Sequence, residues 1–242
     1  MKQIFPPMYD RPENGMPFAG LAYWLFAFVG IPLFLPLIAD GFWGELKFAS
    51  WLEFVYHTVN ALVIVFMFKS YARDSFLNVQ LDPGKFFKTV GIALALMLQL
   101  ALGLYFFLAP LATDVYPINE LTMAISSGLM VDTLPVFGTL CHTLITPIAV
   151  VGLFYVVGFA PICCRKPWLG YLAVTILLML PAAFDILWRG GAALVIATYI
   201  LNLPMHLIAC WSYQKADTVW APLTVLSIFN LITSLVSMLL LR

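Results

Sequence analysis

Long apolar runs are the feature that most constrains the fold of this chain. Each is close to the roughly 20 residues that a helix needs to cross a bilayer. The runs cover residues 21–38, 51–68, 89–108, 136–160, 169–187, 192–211 and 219–241. Hydrophobic residues make up 63% of the chain and charged residues only 10%, which excludes an ordinary soluble domain. The pattern therefore predicts an all-α polytopic membrane protein, a bundle of about seven transmembrane helices.

The remaining segments suggest one domain with little outside the membrane. Residues 1–17 are polar and rich in proline, and we interpret them as a cytoplasmic tail. Residues 18–242 then form a single transmembrane domain. The segment 118–131 is short and contains Ser and Gly, which predicts one further surface or re-entrant helix. The longest polar connection is 69–88, with Asp82-Pro83-Gly84 as its turn.

The distribution of basic residues predicts the orientation. With the N-terminus in the cytoplasm, the inner segments hold most of the Lys and Arg side chains, which is the bias expected of a cytoplasmic face. These are Lys2, Arg11, Lys69, Arg73, Lys85, Lys88, Arg165, Lys166 and Lys215, against Lys47, Arg189 and Arg242 outside. We expect a bacterial-type cytoplasmic (inner) membrane, with the lipid bilayer as the first partner. A net charge of +0 and the lack of a basic stripe or phosphate loop predict no nucleic-acid binding.

Polar side chains inside the apolar runs are the candidate functional residues, because an unpaired polar group in hydrocarbon is costly. The second run carries Glu53, His57 and Asn60, whose spacing of four and three places them on one helix face. A Glu and a His four residues apart can hold a metal or share a proton. The alternative is a polar face that packs against another helix.

Histidines occur on three different runs, as His57, His142 and His206. If they converged on one cavity they would be candidate ligands of a divalent metal; otherwise each is a packing residue. No other cofactor is predicted. Asp185 lies near the end of the fifth run and either pairs with Arg189, four residues on, or lies within the membrane as an acid.

Asn230 lies deep inside the last run, and its amide is either functional or forms an interhelical hydrogen bond. The stretch around it has a specific form. It reads Trp-Ala-Pro at 220–222, with the Asn eight residues after the Pro and an Asp-Thr helix cap just before.

With this stretch, the chain from about residue 136 to 242 resembles the CPBP intramembrane proteases, also called the CAAX-protease or Abi family. That family has a Pro-led segment of the type PIxEExxFR, then an FxxxH helix, then a final helix of the type TGSxWAPIxxHxxxN. Residues 147–155 resemble the first segment in their Pro, Ile and Phe. Residues 181–185 fall at the second, and residues 216–230 resemble the third in their WAP core and in Asn230.

The resemblance implies the fold of a protease that lacks most of the family's catalytic residues. The family's two Glu positions are occupied by Val150 and Val151, its Arg position by Tyr155, and one His position by Leu226. In the family, Glu and His activate a water while the Asn helps to hold the oxyanion. Valine and leucine cannot accept a proton, so they cannot act as the base that hydrolysis requires.

The resemblance thus leads us to expect a non-catalytic CPBP-like protein that binds a membrane protein or a hydrophobic peptide, in a self-immunity or regulatory role. Asn230 is the retained family position, and Asp185 falls at the family's second-segment His. The first alternative is an active intramembrane endopeptidase with relocated residues. Its candidate residues are Glu53, His57, His142, His206 and Asp185. The second alternative is a small membrane transporter.

Overall fold

The computed structural model describes residues 16–30, 46–108, 135–163, 166–189 and 192–240. Within them, α1 is Met16–Trp24 and continues as a π-helical stretch, Leu25–Gly30. Helices α2 and α3 are Leu46–Leu81 and Pro83–Leu108. Helix α4 runs through Pro135–Leu140, Cys141–Ile145, Thr146–Val150, Val151–Phe159 and Ala160–Cys163, of which the second and fourth pieces are π-helical. Helices α5, α6 and α7 are Pro167–Arg189, Ala192–Ala216 and Trp220–Leu240.

The fold supports one part of the sequence prediction, namely that the chain is all-helical and apolar enough for a membrane protein. Three helical stretches are long and apolar enough to cross a bilayer: Phe54–Leu81, Pro83–Leu104 and Val136–Cys163. Two shorter apolar stretches, Pro167–Leu178 and Trp220–Val236, accompany them among the residues described. The number of spans and the orientation stay predictions. Residues 1–15 of the predicted tail and the segment 118–131 lie outside the described residues. Residues 16 and 17 of the predicted tail are instead the first residues of α1.

The predicted connection at 69–88 is wrong. Helix α2 continues through it to Leu81, and only Asp82 separates it from α3. Pro83 occupies the first helical position, where a missing N–H costs nothing, and the Asp82 carboxylate accepts the backbone N–H of Lys85 at 2.9 Å. A polar composition therefore did not end the helix. The break between α2 and α3 comes instead at Asp82, which caps α3, and at Pro83, which begins it.

Helix α4 occupies the centre of the described helices. Its π-helical stretch Val151–Phe159 packs against α1, α2 and α5, and its side chains Val151, Phe154 and Tyr155 are at most 3% exposed. A β-carbon placed on Gly152 would clash with Cγ2 of Ile64 on α2. Glycine is therefore required here so that the two helices can approach closely.

We expect Gly152→Ala to lower the free energy of unfolding by about 1–3 kcal/mol, because the added methyl group overpacks the contact with Ile64. Gly103→Ala on α3 is the matched control, since its β-carbon meets nothing within 4 Å. It should leave stability unchanged or slightly raised, because Ala is the better helix former. Thermal unfolding in detergent measures both, and equal midpoints for the two variants would contradict the packing argument.

A buried group of hydrogen bonds joins the end of α2 to the turn between α6 and α7. The Ser75 hydroxyl donates to Thr218 Oγ1 at 2.9 Å and accepts the backbone N–H of Val219 at 2.8 Å. The Thr218 hydroxyl donates to the Ser75 carbonyl at 2.9 Å, and Ser75 and Thr218 are at most 1% exposed. The Trp220 indole N–H donates to the Ala72 carbonyl at 2.8 Å. These bonds hold the start of α7 against α2.

Asp217 makes the turn itself. Its φ of 56° is the left-handed conformation that commonly ends a helix, and its N–H donates to the Tyr213 carbonyl at 3.0 Å. The Asn78 amide donates to the Asp217 carbonyl at 2.6 Å, and Lys85 forms an ion pair with its carboxylate at 3.2 Å. Burial raises the pKa of the Asp217 carboxyl above its usual range, and Lys85 offsets only part of that effect.

We expect Asp217→Asn to be at least as stable as the native protein at neutral pH. A carboxyl whose pKa is raised by folding stabilises the folded state at low pH and loses that contribution as pH rises through the raised pKa. Asn also tolerates the left-handed backbone. The stability of the variant relative to the native protein should therefore increase from acid to neutral pH, measured as melting temperature against pH. A variant less stable at neutral pH would show that the Lys85 ion pair outweighs the cost of burial.

Candidate functional site

Asn230 makes a hydrogen bond to the main chain of another helix. Its side-chain N–H donates to the carbonyl oxygen of His142 at 2.8 Å, joining α7 to the first π-helical stretch of α4. Asn230 is half-buried, and the turn before it on α7 is buried at Leu226 and Phe229. The amide is therefore directed into the bundle.

Proline explains why that carbonyl is open to a side chain. In the stretch Cys141–Ile145 the N–H groups bond five residues back, and that of Thr146 donates to the carbonyl of Cys141. In the same register, the donor for the His142 carbonyl would be residue 147, which is a proline and has no N–H. A carbonyl without a donor is costly in an apolar surrounding. Asn230 supplies the hydrogen bond that Pro147 cannot make.

CPBP proteases carry catalytic residues at positions that, in this chain, lie in or against the core. Val151 and Leu226 are 2% and 6% exposed, and Val150 is half-buried against the same core. Tyr155 is fully buried, and its hydroxyl is hydrogen-bonded to Nδ1 of His206 at 2.8 Å. His206 thus has a defined partner on α4, as a packing histidine requires.

The other two histidines lie close together. His142 lies in the stretch Cys141–Ile145 of α4, and α2, which carries His57, packs against that stretch. The His57 ring also lies against Tyr56, with centroids 5.2 Å apart. The structure therefore brings together two of the three histidines, beside the carbonyl that Asn230 binds.

The two helices joined by the Asn230 hydrogen bond also carry buried polar atoms. His142 Nε2, the Thr143 hydroxyl and the Ser234 hydroxyl are closed off from solvent and have no hydrogen-bond partner among the described residues. Ser234 lies one turn after Asn230 on the same face of α7. His142 Nε2 is the group with proton-accepting chemistry in this set.

The remaining predicted site residues are only partly placed. Glu53 belongs to α2, one turn before His57, and Asp185 belongs to α5, but their side chains lie outside the described residues. No set of three His, Cys, Asp or Glu side chains suited to a metal occurs in the described part of the chain. The divalent metal stays a prediction.

Sequence reasoning missed several polar contacts. The Tyr23 hydroxyl donates to the Asn60 side chain at 2.6 Å, and the Tyr56 hydroxyl to the Ala27 carbonyl at 2.5 Å. Tyrosine hydroxyls inside apolar runs were the available signal, since a buried hydroxyl needs a partner. The partner itself lies on another helix and is not encoded locally.

Comparisons with known proteins add no relative: no family model matches the chain, and no curated protein or solved structure matches it.

We expect Asn230→Leu to destabilise the protein by about 1–3 kcal/mol, because it leaves the His142 carbonyl unsatisfied. Pro147→Ala restores an N–H to residue 147, so Asn230→Leu should cost less in that background. A double-mutant cycle on unfolding in detergent measures this coupling. His142→Ala is the control, because the bond uses the main chain, and equal costs of Asn230→Leu in both backgrounds would contradict the explanation.

Proposed function

We propose that this chain is a CPBP-like integral membrane protein of seven transmembrane helices, with its N-terminus in the cytoplasm of a bacterial-type inner membrane. It binds a membrane protein or hydrophobic peptide partner and does not cleave it. The self-immunity or regulatory role implied by the resemblance fits such a binding protein.

The hydrogen bond from Asn230 to the His142 carbonyl is the observation that carries the non-catalytic part of the proposal. An Asn that holds an oxyanion must aim its N–H at the reacting oxygen. Here one N–H of the amide is directed at a main-chain carbonyl that Pro147 leaves open. The side chains at the family's acid positions, Val150 and Val151, lie in or against the core.

Exposed apolar residues on α4 and α7 support the proposal that the protein binds a hydrophobic partner. Val136, Leu140 and Leu144 follow one another at every fourth residue of α4 and are 78%, 46% and 50% exposed. Leu231 and Leu235 on α7 are 39% and 49% exposed. Helices α4 and α7 meet at the Asn230 hydrogen bond, so a hydrophobic helix has apolar surface on both sides of that contact.

The proximity of His57 and His142 favours a second candidate, the endopeptidase with relocated residues. A neutral imidazole can accept the proton of a water, and His142 Nε2 has no partner among the residues described. If this candidate is right, His57→Ala and His142→Ala each abolish cleavage of a membrane substrate while the protein stays folded.

A cleavage assay separates the two candidates. The protein is reconstituted in liposomes with a panel of quenched fluorogenic transmembrane peptides, and His57→Ala/His142→Ala is the matched control. We expect the native protein to release no more fluorescence than the control. Cleavage by the native protein that is lost in the control would reject the non-catalytic proposal.

Binding is tested separately by photo-crosslinking in cells. A photoreactive residue at Leu144 or Leu235 should capture the same discrete partner, and one at Ile92, which is 42% exposed on α3, should not. Equal capture at all three positions would indicate lipid-facing surface with no partner site.

A further inference from the structure

Two exposed basic side chains, Lys69 and Arg73, lie one turn apart on the same face of α2. The helical stretch Phe54–Leu81 is longer than the roughly 20 residues that a span needs, and its apolar part ends at Phe68. Lys69 directly follows, so the pair lies at the predicted edge of the hydrocarbon core, where lipid phosphates are found. This placement rests on the proposed function, which makes the chain an integral membrane protein.

The surroundings of the pair leave both cations available to a ligand. The Lys69 ammonium lies 5.4 Å from the centre of the Phe66 ring, a cation–π contact and not an ion pair. Arg73 has no hydrogen bond or ion pair to any part of the chain that the structure describes. By contrast, Lys85 at the same end of α2 and α3 is engaged by Asp217.

Apolar surface adjoins the pair on the membrane side. Val65 and Phe66 are 50% and 76% exposed and lie four and three residues before Lys69 on the same helix. Together these residues offer acyl-chain contacts next to two positive charges. A guanidinium binds a phosphate in a bidentate manner, and an ammonium one turn away adds a second charge.

We propose that Lys69 and Arg73 form a site for the headgroup of an anionic phospholipid, with the acyl chains along Val65 and Phe66. The charge of the pair complements a phosphodiester carrying a net negative charge. Phosphatidylcholine offers the same phosphate with a cancelling choline, so it should bind less tightly.

Native mass spectrometry of the detergent-solubilised full chain tests the site. Two basic residues near an anionic lipid together favour it by about 2 kcal/mol, so we expect phosphatidylglycerol to bind roughly 30-fold more tightly than phosphatidylcholine. Lys69→Gln/Arg73→Gln should reduce the preference to about threefold or less. Lys69→Arg/Arg73→Lys keeps the charge and should keep most of the preference.

Lys215→Gln is the matched control, because Lys215 is also exposed and cationic but lies on α6. It should retain the native preference. Loss of preference in this control to the same extent would overturn the site in favour of diffuse charge. Binding of free glycerol phosphate as tight as that of the lipid would overturn the choice of a lipid. An acidic peptide displacing the lipid would indicate a protein partner instead.

Carbonate extraction of membranes distinguishes failure of this inference from failure of the proposed function. A chain released by carbonate is not integral, and both proposals then fail. A chain that stays in the membrane, but whose Lys69→Gln/Arg73→Gln variant binds both lipids as the native protein does, rejects the lipid site alone.

Discussion

A main-chain carbonyl without a donor, deep in an apolar helix, is the constraint on which the arrangement of the described helices depends most. Pro147 removes the N–H that would serve the His142 carbonyl in its π-helical register. In water a solvent molecule would replace it, but within a bilayer the donor must come from protein. The amide of Asn230 is that donor, and its hydrogen bond fixes the position of α7 along α4.

A second polar contact determines the other end of α7. Ser75, Thr218 and the N–H of Val219 bond to one another in a buried group at the α6–α7 turn. Between lipid-exposed helices, apolar packing favours no single register, whereas hydrogen bonds are directional. Two such contacts, one at the turn and one at Asn230, therefore specify both the height and the rotation of α7. The glycine contact between α2 and α4 complements them, because it sets the distance between the helices that α7 contacts.

Particular residues show how far prediction from the sequence reached. The cap at Asp217 and Thr218 and an interhelical bond for Asn230 were both foreseeable, because cap residues and intramembrane amides have few roles. The continuation of α2 to Leu81 and the start of α3 at Pro83 are not predicted, because the polar composition of 69–88 favours a loop although polar residues also form helices. The proximity of His57 to His142 was foreseeable only as one alternative among several. Which histidines meet depends on how the helices rotate about their axes.

The sequence by itself determined that the chain is helical and apolar enough for a membrane, that the chain turns at Asp82-Pro83-Gly84, and which few polar groups need partners. These properties follow from composition, local capping and the cost of unpaired groups in hydrocarbon. Only the tertiary structure decided the partners: the His142 carbonyl for Asn230, Ser75 for Thr218, and Tyr155 for His206. Those residues are far apart in the chain, and their pairing results from helix packing, which no local pattern encodes.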